Sequence, residues 1–157
     1  MKTLRILLAL LSPLLLLLLP VAYAAPTSAS GSFTVSNSPP TARAAGGNMI
    51  LTYDSAFTST GTFVGTCSGQ AITLTHSDGT ANTKATCTFI GTVGDKSGTA
   101  MFLIRAQGKG SSFQGHFTLL AGGTGDLASL RAEGSFSGTA TGPLTSAGTY
   151  TGKTNFT

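Results

Sequence analysis

The chain has 157 residues, with nine basic against five acidic side chains, a formal charge of +4, and charged residues making up only 9% of it. Disorder pairs low hydrophobicity with high net charge, and a chain that is 41% hydrophobic with so few charges is excluded from that class. Its bases stand singly rather than in a stripe interleaved with aromatics, so nucleic acid is not an expected partner.

Lys2 and Arg5 precede the apolar run Ile6 to Leu19, and Pro20-Val21-Ala22-Tyr23-Ala24 then sets small residues at the two positions before a cut. This is the pattern of a secretory signal peptide over residues 1–24, cleaved after Ala24. The run falls short of the roughly 20 residues of a bilayer span, and Pro13 interrupts it, which argues against a permanent anchor. The residue directly after the cut is Ala25 rather than cysteine, so a lipid anchor at the new terminus is not expected. Removal of Lys2 and Arg5 leaves seven bases against five acids, a net of +2 on 133 residues, enough chain for one ordinary domain. The expected address is secreted, periplasmic or cell envelope, with no membrane association after cleavage.

All 21 glycines lie after residue 30, and Phe, Val and Ile recur between threonines, the composition of many short strands joined by Gly-containing turns. Residues 25–32 read as a flexible tail, and residues 33–157 as one antiparallel β domain. Phe33-Thr34-Val35 opens the first strand, and Ser36 to Gly47, with Pro39-Pro40, reads as loop. Met49 to Tyr53 is a second strand with an apolar start that suggests cover on both faces. Asp54 to Thr60 turns or bulges into Thr62 to Cys67. Gln70 to Thr75 alternates up to Ser77-Asp78-Gly79-Thr80, the clearest turn signal in the chain. In the next strand Ala85, Cys87 and Phe89 share a face opposite Lys84, Thr86 and Thr88. Gly91 to Gly98 is a Gly-rich turn. Thr99 to Arg105 is apolar on both faces and is expected to be doubly covered. Phe113, Gly115, Phe117 and Leu119 then alternate inward against Ser112, Gln114, His116 and Thr118.

Gly122 to Phe136 organises the rest. Gly123-Thr124-Gly125-Asp126-Leu127-Ala128 fits a dinucleotide-binding turn, but only about one helical turn follows before Gly134 starts a new strand, so the parallel context that chemistry needs is missing. The glycines instead let the chain leave a strand, Asp126 caps a single turn, and Leu127 and Leu130 plug one end of a core. Glu133 to Thr139 and Thr149 to Phe156, separated by Gly142-Pro143, bring the total to about eight strands. A Thr-rich exported chain has few charges to guard an edge strand, and closure removes edges, so a barrel is preferred to an open sandwich.

Cys67 and Cys87 are the only cysteines. In an exported chain they are expected to form a disulfide, worth on the order of 3 kcal/mol for a loop of about 20 residues. A two-residue Asp78-Gly79 turn would instead place Gln70 opposite Cys87, and a three-residue loop restores a shared face but leaves the cysteines offset. Two buried free thiols remain the alternative.

Catalytic chemistry is sparse. His76 and His116 stand alone, without metal-ligand spacing, and no metal or cofactor is expected. No Ser-centred nucleophile motif occurs, and Asp54, Asp78 and Asp95 look like turn residues. Glu133, the sole glutamate, together with Arg105 and Arg131, lies in strand-like segments. On a lumen face Glu133 could bind a ligand or move a proton beside either arginine. On a solvent face they are surface charges.

Phe89-Ile90-Gly91-Thr92 with Gly94, Ser97-Gly98-Thr99, and Gly123 to Leu127 with Leu130-Arg131-Ala132-Glu133-Gly134-Ser135-Phe136 resemble the bacterial family known as domain of unknown function 3224, over about Phe33 to Phe156. That family is similar to the allene oxide cyclase and dirigent barrels, and the resemblance implies an eight-stranded antiparallel barrel with a central cavity. Ala132 stands where the family usually has Gly, and Ser36 to Pro40 replaces an acidic residue expected after the first strand. The leading functional expectation is a barrel that binds a small apolar or amphipathic molecule in its lumen. An allene oxide cyclase-like isomerase assisted by Glu133, and a cell-envelope interaction protein with a filled lumen, are the rivals.

Overall fold

The computed structural model describes residues 25–157. The signal peptide expected over residues 1–24 lies outside the described residues. Alternating hydroxyl and apolar side chains carry the chain through nine strands. They are β1 (Thr27–Asn37), β2 (Thr41–Ala45), β3 (Asn48–Gly61), β4 (Phe63–Thr75), β5 (Thr80–Val93), β6 (Lys96–Lys109), β7 (Ser112–Gly125), β8 (Leu130–Ala140) and β9 (Thr145–Phe156). Strands β3 to β9 form an antiparallel meander, and β1 pairs with β9 on one side and β3 on the other, so eight strands close into a barrel. The ninth, β2, pairs only with the first residues of β3, Asn48 to Thr52, where β1 has already left that strand.

Four sequence expectations are corrected by the structure. Residues 27–32 belong to β1 rather than to a tail, because their backbone pairs in register with β9 from Thr27↔Thr154 to Ser32↔Thr149. The Ser36–Gly47 loop contains β2, since Ser38-Pro39-Pro40 breaks β1 only briefly before pairing resumes. Asp54 to Thr60 does not turn but continues β3, with Ser55, Phe57 and Ser59 facing in. The expectation of double cover also fails, at Met101 in β6, whose side chain is 45% exposed because a barrel wall has no second layer outside it.

The β4–β5 connection settles the cysteine question. His76 N–H donates to Thr80 O (2.8 Å), leaving a three-residue loop in which Gly79 takes φ +79°. Hydrogen bonds from the Thr80 side chain and backbone hold the Asp78 carboxyl below its ordinary pKa and fix the loop. The register that follows puts Gly69, not Gln70, opposite Cys87 and Cys67 opposite Phe89, so both cysteines face in as a diagonal pair. Their Cα atoms stand 5.4 Å apart and the disulfide is formed. Such closeness depends on Gly69, where an added Cβ would sit 2.8 Å from the Cys87 Cα.

One end of the barrel is plugged. Leu127 and Leu130 are fully buried there, among Val93, Ala100, Ala132 and Ala29. Their turn is anchored from outside: Asp126 N–H donates to Ser97 O (2.8 Å), and its carboxylate accepts from Ser97 N–H (3.3 Å). Asp126 thus ties the β7–β8 turn to the β5–β6 hairpin instead of capping its own turn.

The lumen as candidate functional site

Of the nine phenylalanines, eight belong to the core cluster or pack against it, and the ninth, Phe113, lines the lumen above it. Halfway along the barrel the Phe63 ring is surrounded by Phe89, Phe102, Phe117 and Tyr150, at centroid distances between 5.6 and 6.1 Å and mostly edge to face. These five rings form a floor. Phe63 reaches the axis because Gly61, at φ +95°, turns β3 sharply into β4. The Tyr150 hydroxyl fixes that turn by accepting from Phe63 N–H (2.9 Å) and donating to Thr60 O (2.9 Å). Burial pushes the Tyr150 pKa up from 10.0, against the pull of its backbone hydrogen bonds.

An eight-stranded barrel has an interior just wide enough for side chains to fill it or for one small ligand. Here the upper half is kept hollow by a pairing rule. Phe33 lies opposite Gly148, Phe113 opposite Gly138, and Phe136 opposite Gly115. Each ring folds over the missing side chain of its partner, so that a Cβ at Gly138 would come 2.6 Å from the Phe113 ring and one at Gly148 2.7 Å from Phe33. The three rings gather against one another on one side of the barrel, with centroids 5.9–6.4 Å apart, and the rest of the cross-section stays open. Above the floor remains a cavity of about 370 Å³, opening at the end opposite the leucine plug. Its size is at the lower end of the range of small-molecule sites, roughly 300–1,000 Å³.

Polar side chains gather around the mouth: Gln107, Ser111, Ser112, Thr145 and Ser146 border it on one side, and a hydrogen-bonded group from β1, β3, β4 and β5 stands on the other. Near the mouth, the Tyr53 hydroxyl, Thr73 Oγ1 and Thr83 Oγ1 form a chain with two 2.7 Å links. Beside it Ser55 Oγ donates to Asn37 Oδ1 (2.6 Å). The only charged side chain bordering the cavity among the described residues is Lys109, exposed on the β6–β7 hairpin.

Arg105, Arg131 and Glu133 do not meet in this lumen. The inward residues of β8 are Leu130, Ala132, Gly134 and Phe136, so Arg131 and Glu133 point out and are exposed. Arg105 is likewise exposed, in register with His116, and Glu133 stands opposite Lys153. Among the described residues no three His, Cys, Asp or Glu side chains come together as a metal site requires. Cys67 and Cys87 line the cavity as the disulfide. Sequence reasoning missed Tyr53, Ser55, Thr73, Thr83 and Asn37. Extending the parity of Phe63 and Cys67 along β4 places Thr73 inside, and reading Asp54–Thr60 as strand places Tyr53 and Ser55 inside.

A closed eight-stranded antiparallel barrel, plugged at one end and hollow at the other, defines a small-cavity barrel protein. Within that class the chain belongs to the family described as Protein of unknown function (DUF3224), whose model matches residues 29–150. A solved structure of a protein of unknown function from the same family, from Shewanella oneidensis MR-1, matches with a TM-score of 0.64 at 16% identity, covering 85% of this chain and 98% of that one. At that identity the likeness speaks for the fold. No curated protein matches the chain.

Proposed function

We propose that the barrel is an exported binding protein that holds a small apolar or amphipathic molecule in its open lumen. One observation carries this reading: glycines set opposite Phe33, Phe113 and Phe136 preserve a 370 Å³ space that larger side chains would have filled. A merely structural barrel gains nothing from a hollow axis, since unfilled apolar space forfeits packing. The disulfide supports an oxidising compartment. The cyclase reading loses its acid, because Glu133 lies on the outer wall.

Native mass spectrometry of the protein purified from its own host tests the proposal. A non-covalent adduct of small-molecule mass is expected, and it should disappear in an Ala106→Phe variant, whose added ring enters the cavity. A wild-type protein that carries no adduct, and that binds no apolar probe such as N-phenyl-1-naphthylamine, would refute it.

A further inference from the structure

The polar side of the lumen says what the ligand carries. In the Tyr53–Thr73–Thr83 chain three hydroxyl protons serve two links, so one O–H is left over, at Tyr53 or Thr83 when the chain runs head to tail and at Thr73 when both ends donate to it. Both ends, Tyr53 and Thr83, line the cavity. The opposite end then offers a free lone pair. Ser55 uses its proton on Asn37 Oδ1, leaving the Asn37 amide N–H groups and the Ser55 lone pairs as further donors and acceptors on the same wall. All five groups are neutral. Burying a carboxylate or an ammonium in this lumen without a buried counter-charge is strongly unfavourable. Lys109, exposed at the rim, is a solvent-screened ion-pair partner that returns little of that cost.

Building on the lumen-binding reading above, we propose that the ligand is an uncharged amphipathic molecule with one hydroxyl or carbonyl group. That oxygen docks near the mouth on the Tyr53–Thr73–Thr83 chain and the Asn37–Ser55 pair, and its hydrocarbon part descends past the disulfide to the Phe63 floor. The hydroxyl chain serves either kind of headgroup by reversing its direction: it donates to a carbonyl, or accepts from a hydroxyl and passes its spare proton to the other end.

The test uses the purified protein with N-phenyl-1-naphthylamine as a fluorescent reporter, displaced by naphthalene, 2-naphthol or 2-naphthoate at neutral pH. The three share one ring system and differ in headgroup. 2-Naphthol is expected to displace at least tenfold better than 2-naphthoate and severalfold better than naphthalene. In a Tyr53→Phe/Thr83→Val variant the advantage of 2-naphthol over naphthalene should fall about fivefold or more, with naphthalene unchanged. Ser55→Ala, alone, provides a second and milder removal should the double variant not fold. If 2-naphthoate binds as well as 2-naphthol, or if removing the hydroxyls alters nothing, the headgroup assignment fails while lumen binding stands. If the reporter itself does not bind wild type, the underlying reading fails.

Discussion

A single hydroxyl joins the floor of the lumen to the turn beneath it. Tyr150→Phe leaves Phe63 N–H and Thr60 O without their partner, and a lost pair of buried hydrogen bonds costs about 1–3 kcal/mol. Urea denaturation should read a loss of that size at neutral pH. The same substitution has an alkaline signature. In the unfolded chain the Tyr150 phenol ionises near 10.0, whereas in the fold it keeps its proton to higher pH. Its contribution is therefore complete below pH 10 and is lost as the pH climbs through the raised folded value. Stability of wild type should fall more steeply than that of Tyr150→Phe as the pH rises above 10; parallel curves would show that the phenol is not held in this way. Glycine pairing is testable beside it. At Gly134 a Cβ would lie 2.5 Å from the Phe117 ring, whereas at Gly108 the nearest atom is 3.2 Å away. Gly134→Ala should cost about 1–3 kcal/mol as an overpacked site. Gly108→Ala, in the same barrel wall, should be close to neutral by thermal melting.

Strands β4 and β5 are fastened twice, by their ladder and by the Cys67–Cys87 bond. Cross-linking about 20 residues constrains the unfolded chain by roughly 3 kcal/mol. Reduction, or a Cys67→Ala/Cys87→Ala variant, should lower stability by about 2–4 kcal/mol while the circular dichroism of the sheet persists. A shift below about 0.5 kcal/mol would mean that the bond adds little to the ladder. This pair of strands also shows where the sequence was legible. Ala85, Cys87 and Phe89, and Phe113 to Leu119, announced their inward faces because each strand there alternates hydroxyl or charged residues with apolar ones. In β4 the alternation misleads: Ile72 is 49% exposed, whereas Thr73 and Ala71 are buried. Hydroxyls on the lumen side look, by composition, like solvent-facing ones, so the polar arc was hidden. The three-residue loop before Thr80 was equally hidden, since Asp78-Gly79 suits either loop length and only the backbone bond from His76 to Thr80 distinguishes them. Strand β2 escaped notice because its pairing is with β3 alone and its five residues carry no inward face.

Closure of the whole barrel rests on contacts between its two chain ends. Gly31 in β1 faces Tyr150 on one neighbour and Gly61 on the other, so the last seam joins residues separated by most of the described chain. Such non-local pairing is intrinsically slow, and until it forms β3 and β9 are open edges. Once it forms, the strand order ends only at β2, a short edge carrying Arg43 at its centre. Short, charged edges resist pairing with other chains. The seam is tight at Gly31, where a Cβ would lie 2.7 Å from the Tyr150 ring and collide with Thr60 O. Gly31→Val should therefore keep β1 from seating between its neighbours while leaving the β3–β9 meander able to pair. The expected outcome is a protein that refolds more slowly, loses amide protection along β1, β3 and β9 in hydrogen exchange, and aggregates with thioflavin binding at concentrations where wild type stays dispersed. A Gly31→Val protein with wild-type exchange protection along those three strands would mean that the barrel closes without this contact.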